Sequence, residues 1–402
     1  MQVVVVGSGA REHALAWRLQ QSPGLTELHA APGNPGIAAL GRCHPVRADD
    51  ADGLLSLALT LGADLVVIGP EGPLVAGIAD GLRMNGIPVF GPSAAAAQIE
   101  GSKAFAKDVL RAAGVPTAKT LSVARPPCVV KADGLASGKG VFVCRTADEI
   151  DEALLAVTAL GGEFVIEELL EGEEVSLFAL SDGARLVPLG AAQDFKRIGD
   201  GDAGPNTGGM GAYSPVPWFA DADELVEQVH RPVIDELARR GTPFVGCLFA
   251  GLMITADGPK VLEFNARFGD PETQVLLPRL EGDLLELLLA AALGDLSGVA
   301  ASMTADAAVT VVLAAPDYPA RSDYAGAPIK GVENAEAAGA LVFHGGTAVR
   351  DGTVVTNGGR ILSVTGTGTT VADARARAYA AVDLISYEGM QFRRDIAAVA
   401  SG

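Results

Sequence analysis

Four consecutive valines, Val3–Val6, closed by Gly7-Ser8-Gly9, leave the start of this 402-residue chain little choice of fold. A run that is apolar at every position has no solvent face, so it forms a strand covered on both sides, the habit of parallel sheets. An apolar-periodic stretch from about Arg11 to Gln21 follows and reads as a helix. Leu65-Val66-Val67-Ile68 repeats the strand pattern and stops at Gly69-Pro70-Glu71. Leu74 to Asn85 reads as a helix and Pro88-Val89-Phe90 as a short strand. Strands alternating with helices over residues 1–100 predict a parallel sheet, whose ligands sit at the carboxyl ends of its strands.

The remainder is long enough for further domains, two to four in all. A helix opens at Ser102, a good N-cap, and stops at Gly114. Leu121 to about Leu189 gives short strands with one helix, Asp148 to Leu160. Residues 190–217 are rich in Gly, Pro and Asp and read as a long loop, a length that marks functional segments. A helix over Asp221–Arg240 follows, then strands 245–255 and 259–267 joined by the hairpin signal Asp257-Gly258, then a helix over 283–293. From about residue 305 the pattern is strands with Gly-rich turns, including Asn357-Gly358, and one helix near 372–385.

Composition narrows the function classes. Hydrophobic residues make up 49% and charged residues 20%, which is globular, and no apolar run reaches the roughly 18 residues of a membrane span. Met1 to Gly7 lacks the basic region and cleavage site of a signal peptide and reads as a first strand. Cys43, Cys128, Cys144 and Cys247 are scattered without metal or disulfide spacing, which fits a reducing cytoplasm. A net charge of −19 excludes nucleic acid as a partner. It also makes the eight lysines informative: none precedes residue 103, and Lys103, Lys131, Lys139 and Lys196 fall in Gly-rich or motif-like segments. Such placement predicts a cationic pocket for an anionic ligand.

The chemistry concentrates in a few segments. Val261-Leu262-Glu263-Phe264-Asn265-Ala266-Arg267 alternates, so Glu263, Asn265 and Arg267 share one face and Leu262, Phe264 and Ala266 the other. A carboxylate, an amide and a guanidinium in a row suit a hard metal ion beside a phosphate. The strand then breaks at Gly269-Asp270-Pro271-Glu272. Lys131 to Val141 carries Gly134, Gly138, Lys139 and Gly140, but its spacing is one residue short of a P-loop and a strand follows it. It reads as a hairpin lid over phosphates. Phe164 to Ser176 is strand, linker and strand, with backbone suited to an adenine edge and a carboxylate beyond for ribose. Gln193-Asp194-Phe195-Lys196-Arg197 leads into Gly204-Pro205-Asn206-Thr207-Gly208-Gly209, a loop that closes on substrate. The Gly7–His13 turn can hold a phosphate at a helix N-terminus. It fails as a dinucleotide fingerprint, since Glu12 stands where a third Gly belongs and Ala30-Ala31-Pro32 ends the second strand without an acid.

Together these segments resemble the ATP-grasp ligases, and within them the phosphoribosylamine–glycine ligase family, over nearly the whole chain. The resemblance rests on residues 7–14, 69–74, 100–103, 131–141, 204–215 and 267–274. It implies ATP-dependent joining of glycine to 5-phospho-β-D-ribosylamine through glycyl phosphate, in de novo purine (IMP) biosynthesis. Glu263 and Asn265 then ligate Mg²⁺ or Mn²⁺, and Arg267, Lys139 and Asp270 serve catalysis. Lys103, Lys131, Gly138, Glu167, Leu170 and Glu174 hold ATP, with Glu167 and Leu170 offering backbone to adenine. Gly7, Gly9, Arg11, Glu71, Asp194, Gly208, Gly209 and Glu272 bind the other substrates.

The implied fold class is multidomain α/β and α+β. It comprises a Rossmann-like sheet domain over 1–100, an ATP-grasp domain over 101–305 with a lid at about 118–189, and a mainly-β domain over 306–402. The partners expected are ATP, glycine and phosphoribosylamine, for a monomer without nucleic acid or membrane. Two departures stand out. The family pattern has His where Phe195 stands, and Phe195 reads as a packing residue. Phe249-Ala250-Gly251-Leu252-Met253 also lacks the acidic metal ligand common in the superfamily.

Overall fold

A computed structural model describes residues 1–135 and 140–401. Its first layer is a parallel five-stranded sheet in the order Arg42–Cys43, Glu27–Pro32, Gln2–Gly7, Leu65–Ile68, Val89–Phe90. The valine run is the central strand, with each of Val3 to Val6 at most 1% exposed. Helix Ala10–Leu19 starts directly at its carboxyl end, as the turn glycines require. The stretch expected as one helix over Leu74–Asn85 is two, Glu71–Val75 and Ile78–Met84, broken at Gly77 with φ +85°. A helix absent from the sequence reading, Ala94–Gly101, leads into Lys103–Ala113. The Ser102 hydroxyl caps that second helix and Gly114 ends it in the left-handed region.

The second layer is one antiparallel sheet of eight strands. Its order is Gly258–Asn265, Val245–Thr255, Glu173–Asp182, Leu186–Asp194, Gly211–Ser214, Ala307–Ala314, Arg360–Gly368, Leu341–His344. The central and C-terminal parts of the chain therefore share a sheet. The link is Gly211–Ser214, inside the stretch that reads as a loop in the sequence. Gly211 lies opposite Val311, where a Cβ would come within 2.6 Å of the Thr310 carbonyl. Local composition hides this strand because its partner lies far along the chain. Arg197–Gly199 and Ala203–Asn206 form a further two-stranded ribbon in the same stretch.

A separate three-stranded sheet, Val141–Cys144, Cys128–Ala132 and Phe164–Glu168, packs with helix Ala147–Ala159 around its own small core of Cys128, Val130, Cys144, Ile150 and Val157. It sits above the edge of the large sheet, where Lys131 Nζ reaches the Leu262 carbonyl at 2.9 Å. The strands Glu173–Asp182 and Leu186–Asp194 belong to the large sheet instead. No helix among the described residues is long and apolar enough to cross a membrane.

Candidate active site

On the nucleotide side the organising group is a buried acid. The Glu167 carboxylate, 2% exposed, receives Lys107 Nζ and Lys131 Nζ, each at 2.7 Å. Lys107 also donates to Thr117 Oγ1 and to the Ala118 carbonyl. Two ammonium groups on one carboxylate leave one positive charge in excess in a poorly hydrated place, a condition that attracts phosphate. Lys103 completes the set. Its backbone N–H donates to Asp133 Oδ1 at 2.5 Å and its Nζ to the Gly134 carbonyl at 3.0 Å, so the start of the glycine-rich turn is tied to the N-terminus of the 103–113 helix. Burial lowers the affinity of Lys103 for its proton, while the Glu263 and Asp133 charges oppose that.

Glu167 takes a different part from the adenine contact read in the sequence. It lies within a paired strand, between Val129 on one side and Thr120 on the other, and contributes its side chain. The strand ends at Glu168, so Leu169 and Leu170 are the first residues with main chain outside the sheet. Glu174 faces Lys196, whose Nζ lies 2.8 Å from both Glu174 Oε2 and Asp194 Oδ1. Burial pulls the Lys196 ammonium toward neutrality, but these two carboxylates overcome it and hold it well above the usual lysine range. Glu272, accepting from Ser176 Oγ at 3.2 Å, is pushed up by burial and by the neighbouring Asp194 charge.

The Glu263–Asn265–Arg267 row runs along the edge strand below these groups. The alternation is shifted by one irregularity: Gly251 pairs with Glu263 and Leu252 with Val261, so Leu262 is an extra residue in a bulge. Val261 and Phe264 are therefore buried while Leu262 is half-exposed on the polar side, which corrects the face read for Leu262. Asn265 Oδ1 accepts from Arg267 at 3.1 Å. Among the described residues no group of three or more His, Cys, Asp or Glu is arranged to hold a metal. The donor set is one carboxylate and one amide oxygen, which fits a hard cation that completes its shell with phosphate oxygens and water.

Arg267 joins this row to the N-terminal layer. It pairs with Glu100 at 3.0 Å and with Glu71 at 3.3 Å, and donates to the Phe268 carbonyl. Glu100 also accepts the Ala266 N–H at 2.7 Å. Burial raises the affinity of Glu100 for a proton, and Arg267 counters it. For Glu71 burial acts the same way, but Arg267 and Arg11 together win and bring it down to about 2.

The Gly7–Ala10 turn is built around Glu12, a residue that sequence reading counted only as a missing glycine. Its carboxylate accepts the Gly9 N–H at 2.6 Å and Arg11 Nε at 2.5 Å. A Cβ at Gly7 or Gly9 would come within 2.6 or 2.7 Å of this side chain, so the glycines make room for an acid. His13 is structural: Nδ1 accepts the His344 N–H at 2.8 Å, and burial with the nearby His344 lowers its pKa to about 3. Beside the turn lies a cavity of about 560 Å³ between the N-terminal layer and the C-terminal strands, lined by Ser8, Gly9, Asn34, Asp270, Gly346 and Arg360 among others.

Arg360 was not legible as a site residue. It pairs with Asp270 at 3.0 Å, donates to the Asp270 carbonyl at 2.8 Å and also reaches the Gly208 carbonyl. Tyr318 Oη accepts the Gly208 N–H at 2.8 Å. Asp270, Gly208 and Gly209 are thus brought together by C-terminal residues that carry no motif. Lys107 had a signal, standing four residues after Lys103 on the same helical face. Gly138 and Lys139 lie outside the described residues.

A parallel-sheet domain, an antiparallel sheet capped by a small lysine-bearing sheet, and a carboxylate–amide–guanidinium row between them define an ATP-grasp ligase. Three family models match the chain. They are the phosphoribosylglycinamide synthetase N domain over residues 1–100, its ATP-grasp (A) domain over 101–273 and its C domain over 308–399. The chain belongs to the phosphoribosylglycinamide synthetase family. It is 53% identical over 421 residues to a phosphoribosylamine–glycine ligase of Streptomyces coelicolor, covering 100% of both chains. The crystal structure of phosphoribosylamine–glycine ligase from Thermotoga maritima superposes with a TM-score of 0.84 at 33% identity, covering 98% of this chain and 100% of that one. A biotin carboxylase domain from Hydrogenobacter thermophilus, 18% identical with a TM-score of 0.69 over 97% of this chain and 91% of its own, shares the fold.

Proposed function

We propose that this cleft ligates glycine to 5-phospho-β-D-ribosylamine with ATP, giving glycinamide ribonucleotide, ADP and phosphate, a step of de novo purine biosynthesis. A glycine carboxylate oxygen attacks the γ-phosphorus and expels ADP, forming glycyl phosphate. The ribosylamine nitrogen then attacks the acyl carbon, loses a proton, and phosphate departs from the tetrahedral intermediate. Both steps crowd negative charge, so the residues that matter are cations and donors fixed before the substrates arrive.

In this reading Lys103 and Lys131, with Gly138 and Lys139 of the lid, take the ATP phosphates. The main chain at Leu170 takes adenine and Glu174 the ribose. Arg267 lies where the acyl phosphate forms. Asp194, Asp270, Glu272, Gly208 and Gly209 surround glycine. Gly7, Gly9, Arg11 and Glu71 face the ribosylamine, Gly9 from the lining of the 560 Å³ cavity, which Arg360 also lines. Glu263 and Asn265 would hold Mg²⁺ or Mn²⁺, which neutralises phosphate charge when bound. The separate sheet supports a moving lid that stops short of the expected 118–189, before the strand Glu173–Asp182 of the large sheet, within three working parts of 1–100, 101–305 and 306–402. The protein works as a monomer in this reading, and the scattered cysteines support a cytoplasmic setting.

The observation that carries this reading is the Glu263–Asn265–Arg267 row, with Lys131 of the Lys107–Glu167–Lys131 cluster on the Leu262 carbonyl and the Asp270 charge acting on Arg267. Glu263→Gln tests it. The metal concentration for half-maximal turnover is expected to rise by about tenfold, the loss of one charged ligand. Wild-type metal dependence in the variant removes the assignment.

A further inference from the structure

Arg393 is 1% exposed, the largest side chain buried to that degree among the described residues, and it lies in the C-terminal segment well outside every motif of the site. Its guanidinium pairs with Asp202 and Asp395, each at 2.7 Å, and donates to the Arg197 carbonyl at 3.1 Å. It also stacks over the Phe195 ring with its centre 5.0 Å from the ring centroid. Phe195 and Arg197 are the two neighbours of Lys196. One buried cation therefore grips the side chain before Lys196 and the carbonyl after it.

The grip extends into the substrate loop. The Lys196 carbonyl accepts both the Thr207 N–H at 2.7 Å and the Thr207 hydroxyl at 2.8 Å, and Thr207 Oγ1 accepts the Gly209 N–H at 2.9 Å. Met210 N–H donates to the Phe195 carbonyl at 2.8 Å. The C-terminal arm is pinned back in turn: Asp395 accepts the Gly201 N–H and Asp200 the Arg394 N–H, each at 2.8 Å. Lys196 is the only described cation that holds Glu174 and Asp194 together.

We infer that Arg393 is a positioning residue for Lys196 and the Gly208-Gly209 turn, acting on ATP and glycine from the far side of the cleft. Phe195 is part of this device, because its flat apolar face receives the guanidinium while its neighbours Asp194 and Lys196 face the substrates. The inference rests on the reading that Lys196, Asp194 and Glu174 face those substrates. Ligase turnover by the wild-type enzyme tests that reading, and only the variants relative to wild type test Arg393.

The experiment measures glycinamide ribonucleotide formation, with KM for each substrate, in wild type, Arg393→Met, Arg393→Lys and Asp202→Asn. Each is assayed below its thermal unfolding range as followed by circular dichroism. Arg393→Met is expected to raise KM for ATP and for glycine about tenfold, as small misplacements of positioning groups do, with KM for phosphoribosylamine within about twofold of wild type. Arg393→Lys, which keeps the charge without the planar fork, recovers part of that loss. Asp202 is 69% exposed, so Asp202→Asn loosens the clamp without opening the core and moves both constants in the same direction by about two- to threefold. Folded Arg393→Met with wild-type KM for ATP and glycine overturns the inference, as does an equal shift in all three constants alongside a lowered melting temperature. If Arg393→Met does not fold, unchanged constants in Asp202→Asn overturn it.

Discussion

Arg267 carries more than the acyl-phosphate role its motif suggests, because it is also the counter-charge of two acids from the N-terminal layer. Glu100 is nearly enclosed and raised by burial, and Arg267 at 3.0 Å is the ion-pair partner that compensates it. Arg267→Ala therefore has two expected effects: a lower maximal rate, and a loss of about 3–5 kcal/mol from the stranded acid. Turnover and urea denaturation on the same preparation separate them; an unchanged denaturation midpoint would contradict the structural part. Lys131 differs in kind, since Lys107 stays on Glu167 when Lys131 is removed. For Lys131→Ala the expected result is a rise of about tenfold in KM for ATP, one charge-assisted bond, with little change in stability. A variant that melts well below wild type with an unaltered KM would show that Lys131 only balances Glu167. At this scale the sequence displayed residues whose chemistry is unusual for their surroundings, such as Lys131 and the Glu263 row. It hid Arg360 and Arg393, whose meaning comes from partners distant in the chain, and it showed Glu12 only as a missing glycine.

At the scale of elements, local signals were readable wherever the chain itself satisfies them. The Ser102 cap, the Gly114 stop and the Asp257-Gly258 hairpin all stand where turn and cap chemistry puts them. Two failures share a cause. Gly211–Ser214 is a strand because Ala307–Ala314 pairs with it, and the Leu262 bulge depends on register with Val245–Thr255. The helix expected over 221–240 is present but holds a π turn at Val226–His230, where the Arg231 N–H reaches back to the Val226 carbonyl. Pro232 cannot donate and its ring crowds the carbonyl four residues back, so one residue more in the turn relieves it. That turn buries His230, whose Nε2 lies 3.1 Å from the Leu248 carbonyl and whose pKa burial lowers to about 4. Its folded value lies below the unfolded 6.5, so the native state keeps the ring neutral while the unfolded chain takes up a proton. The stability this group contributes is whole above pH 6.5 and declines as pH falls toward 4. Relative to His230→Gln, wild type is expected to lose about 1.4 kcal/mol per pH unit across that window. Urea denaturation of both at pH 7.5 and pH 5 checks it; a constant difference would contradict a buried neutral imidazole.

Taken whole, the molecule places its two kinds of chemistry on either side of one row of residues. The lysine cluster and Glu174 lie on one side. The Glu12 turn, the 560 Å³ cavity and the Asp270–Arg360 pair lie on the other. The eight-stranded sheet runs unbroken from the Glu263 row to the strands beside that cavity, so the two halves are held in fixed relation and neither is complete alone. The parallel sheet was legible from its valines, the ATP-grasp superfamily from the lysine–glycine segment, and the ligase family from the Gly204–Pro215 and Arg267–Gln274 segments. The continuity of the large sheet was not, since it depends on pairing between strands about a hundred residues apart. Both halves then act in one reaction. The most direct measurement is phosphate release from ATP by the wild-type protein, with glycine and phosphoribosylamine supplied together, singly and not at all. Rapid release, matched mole for mole by glycinamide ribonucleotide, is expected only when both are present. Equal release without glycine, or without phosphoribosylamine, would contradict it.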